Sequence, residues 1–194
     1  NYKHPKAFNK WFFGSGSNLD ISYDIPKDIW NRIKLTGWNF LSHIPDHKNY
    51  VDINKNKSID ICAIFGAGGD TPTPAHGVTT HLYYKEHREN IIQVVNELSK
   101  KFNVVSGRRP FNEYMQILYN SKICISPFGM GEIRQGDGEA IQLGTSIRKE
   151  NMSRYNFGPD IWSENKTYIP FDYNCSNLAK NIEIALEQYN EDII

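Results

Sequence analysis

Residues 121–147, SKICISPFGMGEIRQGDGEAIQLGTSI, hold the densest set of groups able to do chemistry. An apolar run delivers Pro127, after which Gly129 and Gly131 free two backbone N–H groups close to a helix start. Such N–H groups, with a helix dipole behind them, suit a diphosphate. Glu132 and Glu139 stand seven positions apart, expected in the loop and in the first turn of the helix respectively. A carboxylate accepts two hydrogen bonds, so Glu139 can hold both hydroxyls of a ribose and Glu132 those of a sugar. Arg134 adds a cation near the expected diphosphate, and Phe128 and Met130 belong to the same stretch.

A second loop begins FGAGG at Phe65. The dinucleotide pattern G-x-G-x-x-G breaks there, because Thr71 stands at the third glycine position. The next strand ends Ser106-Gly107-Arg108-Arg109, without the acid that would bind a ribose, which counts against dinucleotide enzymes and S-adenosylmethionine methyltransferases. Gly66 and Gly68 either admit a ligand close to the backbone or merely turn the chain. Arg108 and Arg109 are either phosphate ligands, through bidentate and permanently charged contacts, or a solvated pair. Asp70, His76 and Arg88 fall near the same mouth, and Asp70 and His76 are the candidates for the base that activates an acceptor. His76, His81 and His87 lack metal-ligand spacing and are expected as surface or core histidines. The nearest match to an acidic D-x-D triplet, Asp137-Gly138-Glu139, is assigned to the helix start, so neither a metal nor a cofactor is expected.

These loops must be positioned by something, and the pattern from Ser58 onward supplies it. Apolar runs at 59–65, 102–106, 122–127, 145–149 and 167–171 predict strands. Helical spacing over 81–101, 111–121, 138–144 and 176–190 predicts the helices between and after them, the last capped by Ser176. Alternating elements with apolar strands predict an α/β fold: a Rossmann-like parallel sheet with helices on both faces. Ligands bind such sheets at the carboxyl ends of the strands. Residues 58–194 form that domain on this reading. Residues 1–57, irregular and rich in aromatics, are expected as an extension packed on it, with NKNKS (54–58) as a solvated linker.

Composition narrows the function classes. Lys plus Arg and Asp plus Glu are both 22, giving zero net charge, and dedicated nucleic-acid binders carry a basic excess. No apolar run approaches the roughly 18 residues of a membrane span. The three cysteines, Cys62, Cys124 and Cys175, show no C-x-x-C spacing and are expected reduced and inert, in a cytoplasmic compartment. The chain opens at Asn1 on a polar segment without a signal peptide, as expected of a piece of a longer polypeptide.

Three segments carry a family resemblance: EYMQILYNSKICISPFGMGE, DGEAIQLGTSI and NMSRYNFGPDIWSENKTYIPFDYNCSNL. Together they resemble the donor-binding half of GT-B glycosyltransferases, especially the exostosin-like group. The resemblance spans about residues 104–190, extends loosely to Ile59 and fails over 1–57. It implies a nucleotide-diphosphate sugar as donor and a glycan hydroxyl as acceptor, without a divalent metal. Glu139 becomes the ribose-binding acid, and Gly129 to Glu132 approach diphosphate and sugar. Where the exostosin-like pattern has an Arg three residues before the second Glu, this chain has Gly136, and Arg134 is expected to substitute. A complete enzyme of that kind also needs an acceptor domain, expected elsewhere in a longer chain. Two alternatives stay open: a non-catalytic nucleotide-sugar or carbohydrate-binding module, and another Rossmann-type nucleotide enzyme.

Overall fold

The computed structural model describes residues 56–66, 82–128, 133–153 and 162–191. In chain order the described elements are β1 (Ile59–Ala63), α1 (Leu82–Leu98), β2 (Val104–Ser106), α2 (Phe111–Tyr119), β3 (Ser121–Ile125), α3 (Gln135–Gln142), β4 (Ser146–Glu150), β5 (Ile169–Phe171) and α4 (Leu178–Glu191). The five strands form one all-parallel sheet in the order β2-β1-β3-β4-β5. This is the Rossmann-like α/β architecture that the alternation of strands and helices predicts.

Period-two alternation in the two central strands separates the layers. Ile61 and Ala63 of β1, with Ile123 and Ile125 of β3, pack under Ile91, Val95 and Leu98 of α1 and Leu178, Ile182 and Leu186 of α4. Cys62 and Cys124 point the other way, against Met115 and Leu118 of α2, Ala140 of α3 and Leu143 just after it. Each such aliphatic burial contributes about 1.5–3 kcal/mol. Cys62 and Cys124 are register partners on adjacent strands, and all three cysteines are free and buried.

The strand order creates a crevice. From β1 the chain passes through α1 to the edge strand β2, then returns past β1 to β3 and continues the other way. The loop after β1 therefore leads to a helix on one face, and the loop after β3 to a helix on the other. The space between them, at the carboxyl ends of β1 and β3, is where ligands bind sheets of this order.

Three expectations need correction. The strands are not apolar throughout: β4 is SIRKE, and Arg148, Lys149 and Glu150 are all buried. Helix α3 begins at Gln135 rather than at Gly138, which puts Glu139 in its second turn. It starts early because the Asp137 carboxylate accepts the Arg134 N–H at 2.8 Å, a capping contact strong enough to carry Gly136 and Gly138 into the helix.

The third correction concerns the linker. Lys57 is buried, not solvated; its Nζ donates to the Leu143 carbonyl at 3.2 Å and to Thr145 Oγ1 at 3.1 Å. It thus places a cation at the C-terminus of α3, where Gly144 (φ 65°) closes the helix with bonds from Gly144 N to Ile141 O and from Thr145 N to Ala140 O. At α4, the Ser176 hydroxyl donates to the Asp172 carboxylate at 3.0 Å, and the helix starts two residues later. The packing expected for residues 1–55 lies outside the described residues. No described helix is long and apolar enough to cross a membrane.

Candidate functional site

Arg88, in α1, ties together the two lips of the crevice. Its Nη1 donates to the Gly66 carbonyl at 2.9 Å and its Nε to the Phe128 carbonyl at 2.8 Å. The guanidinium also lies 5.8 Å from the centroid of Phe65. A rigid fork of donors can serve two carbonyls at once, which a lysine could not do with the same directionality.

Arg108 comes to the same point from β2. A Cβ at Gly66 would lie 2.5 Å from Arg108 Nε, so the glycine is what allows that side chain to rest over the β1 loop. Gly107 makes the approach possible: it turns at φ 82° while its N–H bonds the Ala63 carbonyl at 3.1 Å. The neighbouring Arg109 goes elsewhere, to Glu113 at 3.1 Å and to the Arg108 carbonyl at 2.9 Å. Arg108 itself is exposed and has no ion-pair partner among the described residues.

On the other face of the crevice, Glu139 is 4% exposed and its Oε2 accepts from the Tyr114 hydroxyl at 2.6 Å. Burial chiefly, with the charge on Glu139 adding to it, pushes the Tyr114 hydroxyl far above its ordinary range. Gly136 leaves the space for this contact, since a Cβ there would sit 3.0 Å from Tyr114 Oη and 3.8 Å from Glu139 Oε2. Arg134 stands at the start of the same helix, half-buried, with Nη1 3.5 Å from Ser126 Oγ and no carboxylate on its guanidinium among the described residues.

Beneath this edge runs a buried polar network that the sequence reading did not single out. Ser126 Oγ donates to Asp137 Oδ1 at 2.5 Å, and Lys149 Nζ lies 3.1 Å from Asp137 Oδ2. The Lys149 ammonium is also 5.1 Å from the Phe128 ring centroid and 5.7 Å from that of Trp162. On the opposite face of β4, Glu150 Oε1 accepts the Phe128 N–H at 2.9 Å and hydrogen-bonds His87 Nε2. The His87 ring stacks on Tyr173 at 4.1 Å, and among the described residues neither His87 Nδ1 nor Glu150 Oε2 has a hydrogen-bond partner. Phe128 is therefore fixed at its N–H by Glu150, at its carbonyl by Arg88 and at its ring by Lys149.

The structure brings Gly66, Arg108, Arg134 and Glu139 to the carboxyl edge, and sends Arg109 to the surface with Glu113. Phe128 is buried there, its N–H held by Glu150 and its carbonyl by Arg88. Gly68, Asp70, His76, Gly129, Met130, Gly131 and Glu132 lie outside the described residues. Tyr114, Ser126, Asp137, Lys149 and Glu150 are the residues that sequence reasoning missed. One signal was present: three consecutive charged residues in a strand call for partners, and Asp137 and His87 supply them for Lys149 and Glu150.

Comparison with known family models, curated proteins and solved structures finds no significant match to this chain.

Proposed function

We propose that this domain binds a nucleoside-diphosphate sugar in the crevice between the β1 and β3 loops and transfers the sugar to a hydroxyl of a carbohydrate acceptor. One observation carries the reading. Two guanidinium groups without carboxylate partners among the described residues, Arg108 and Arg134, flank the edge where the buried Glu139 carboxylate is held by Tyr114. Unmatched guanidinium groups at the strand ends suit a diphosphate, and a fixed carboxylate beside them suits a vicinal diol.

In this proposal Glu139 accepts from the ribose hydroxyls while Arg108 and Arg134 take the diphosphate. Gly66 and Gly68, with the run from Gly129 to Glu132, bring backbone close to the phosphates and the sugar. The bond from the anomeric carbon to the diphosphate oxygen breaks, and a bond to the acceptor oxygen forms. The acceptor proton passes to a base, for which Asp70 and His76 are the sequence candidates. Positioning, and neutralisation of the departing diphosphate by Arg108 and Arg134, supply the catalysis without requiring a divalent ion. The acceptor site belongs to a further domain.

A thermal-shift panel of UDP-sugars, GDP-sugars, NAD and S-adenosylmethionine tests the ligand class. A ligand at 100 times its dissociation constant stabilises by about 2.7 kcal/mol, so the correct class stands out. Stabilisation by a nucleotide sugar followed by slow release of its sugar supports the transferase. Stabilisation without any turnover supports a binding module, and stabilisation by NAD or S-adenosylmethionine alone rejects the proposal.

A further inference from the structure

Arg148 is buried with no compensating charge among the described residues. It stands in the middle of β4, 2% exposed, on the sheet face that α4 covers. Its Nη1 donates to Ser146 Oγ at 2.8 Å and to the Ile147 carbonyl at 3.3 Å, both neutral acceptors. Its Nε is buried and has no partner among the described residues. Of the other two polar groups of the strand, Lys149 pairs with Asp137 and Glu150 hydrogen-bonds His87, whereas no described carboxylate pairs with Arg148. Burial alone lowers its guanidinium to about 10. An isolated charge removed from water is strongly unfavourable unless an anion meets it.

The side chain lines a cavity of about 400 Å³ between strands β3 to β5 and the C-terminal half of α4. Lys122, Ser146 and Asn165 place it toward the amino ends of the strands, away from the crevice at the carboxyl edge. Its volume lies within the roughly 300–1,000 Å³ range of small-molecule sites. Ile123 and Ile169 from the sheet and Ile184 from α4 give it apolar walls. Lys122 also lines it, but the Lys122 ammonium already holds Asp60 at 2.8 Å and lies over the Tyr189 ring. The cavity therefore presents one unmatched positive charge beside hydrocarbon.

We propose that this cavity binds a small organic carboxylate, with the carboxylate on the Arg148 guanidinium and the hydrocarbon portion against Ile123, Ile169 and Ile184. A carboxylate fits because it is planar, accepts a bidentate fork and brings a single negative charge. A phosphate dianion would bring a second charge for which the cavity has no free partner. Proximity to Ser146 gives the bound oxygen a hydroxyl at the same edge, already oriented by the Arg148 Nη1.

The test titrates the full chain with hexanoate, benzoate and inorganic phosphate, followed by thermal shift and by amide NMR. Hexanoate or benzoate should raise the unfolding temperature and move the resonances of residues 146–148 and 184–189, while phosphate at the same concentration moves neither. Arg148→Met keeps the length of the side chain without its charge. It should weaken carboxylate binding at least about tenfold, as loss of a charged hydrogen bond requires. Ile184→Trp adds bulk at an exposed α4 position beside the cavity, and should remove binding with the fold intact. Absence of any carboxylate response in the wild type overturns the proposal, as does equal affinity in Arg148→Met or a response to phosphate alone. If Arg148→Met does not fold, the wild-type titrations and Ile184→Trp decide the matter. Nucleoside-diphosphate binding at the carboxyl edge should be the same in both variants, so the two sites fail or stand separately.

Discussion

Tyr114 and Glu139 meet across the interface of α2 and α3, the phenol donating to the carboxylate at 2.6 Å beside a glycine that leaves room for both. The contact fixes an acid at the carboxyl edge of the sheet and also makes folding sensitive to alkaline pH. Tyr114 is held far above its ordinary range by burial first. Cys175 is raised to about 11, by burial first and then by the charge of Glu150. For both groups the folded state keeps its proton while the unfolded chain gives it up. Their stabilisation is therefore complete below the unfolded values, about 9 for the thiol and about 10 for the phenol, and is lost as pH rises through the folded values. The urea midpoint should fall above about pH 9 in wild type, and fall less steeply in Cys175→Ala and in Tyr114→Phe. Slope is the readout for Cys175, because its φ of 63° strains alanine and cysteine alike. Equal slopes in all three proteins would contradict this assignment.

Asp137 and Lys149 form an ion pair shielded from water by Phe128 and Trp162. Asp137→Ala strands the ammonium and removes the cap of α3, and should cost about 3–5 kcal/mol in urea unfolding. The double variant Asp137→Leu with Lys149→Met removes both charges and should recover most of that loss. A double variant as unstable as Asp137→Ala would show that the cap, not the charge, dominates.

Gly66 and Arg108 separate a folding role from a binding role. The Cβ of Gly66→Ala would meet the flexible, exposed Arg108 side chain and not backbone, so the fold should lose no more than about 1 kcal/mol. Displaced from the β1 loop, Arg108 can no longer face the crevice in the same way. Gly66→Ala and Arg108→Ala should therefore weaken nucleoside-diphosphate binding by similar factors, about tenfold or more in calorimetry. Undiminished affinity in both variants would remove Arg108 from the site.

How far the sequence could be read depends on where the information was local. IDICA and SKICI are apolar runs with helical patterns between them, so the parallel sheet and its layers followed from periodicity. The polar residues of β4 were legible as a strand position but not as buried charges, because a strand's local pattern does not show what covers it: the partner of Glu150, His87, is 63 residues away, and Lys149 meets Asp137 only through the fold of α3. The start of α3 was misplaced since two glycines in QGDGEAIQ argue against a helix, and only the Asp137 contact to Arg134 overrides them. At the site, Gly66 and Arg108 stood out by their loop positions. Tyr114 did not, for a tyrosine at helical spacing looks like any other core aromatic.

In the proposed site, Glu139 holds the ribose of a nucleoside diphosphate at the carboxyl edge of the sheet. Isothermal titration of wild type and Glu139→Ala with UDP and GDP, and with their 2′,3′-dideoxy analogues, addresses it directly. Charged hydrogen bonds contribute about 1.5–3 kcal/mol, so wild type should bind one ribose form roughly ten- to hundredfold more tightly than its dideoxy analogue. Glu139→Ala should barely distinguish the two. If wild type binds both forms equally, or binds neither nucleotide, Glu139 serves only to anchor Tyr114 between α2 and α3, and the proposed donor site is wrong at its best-defined residue.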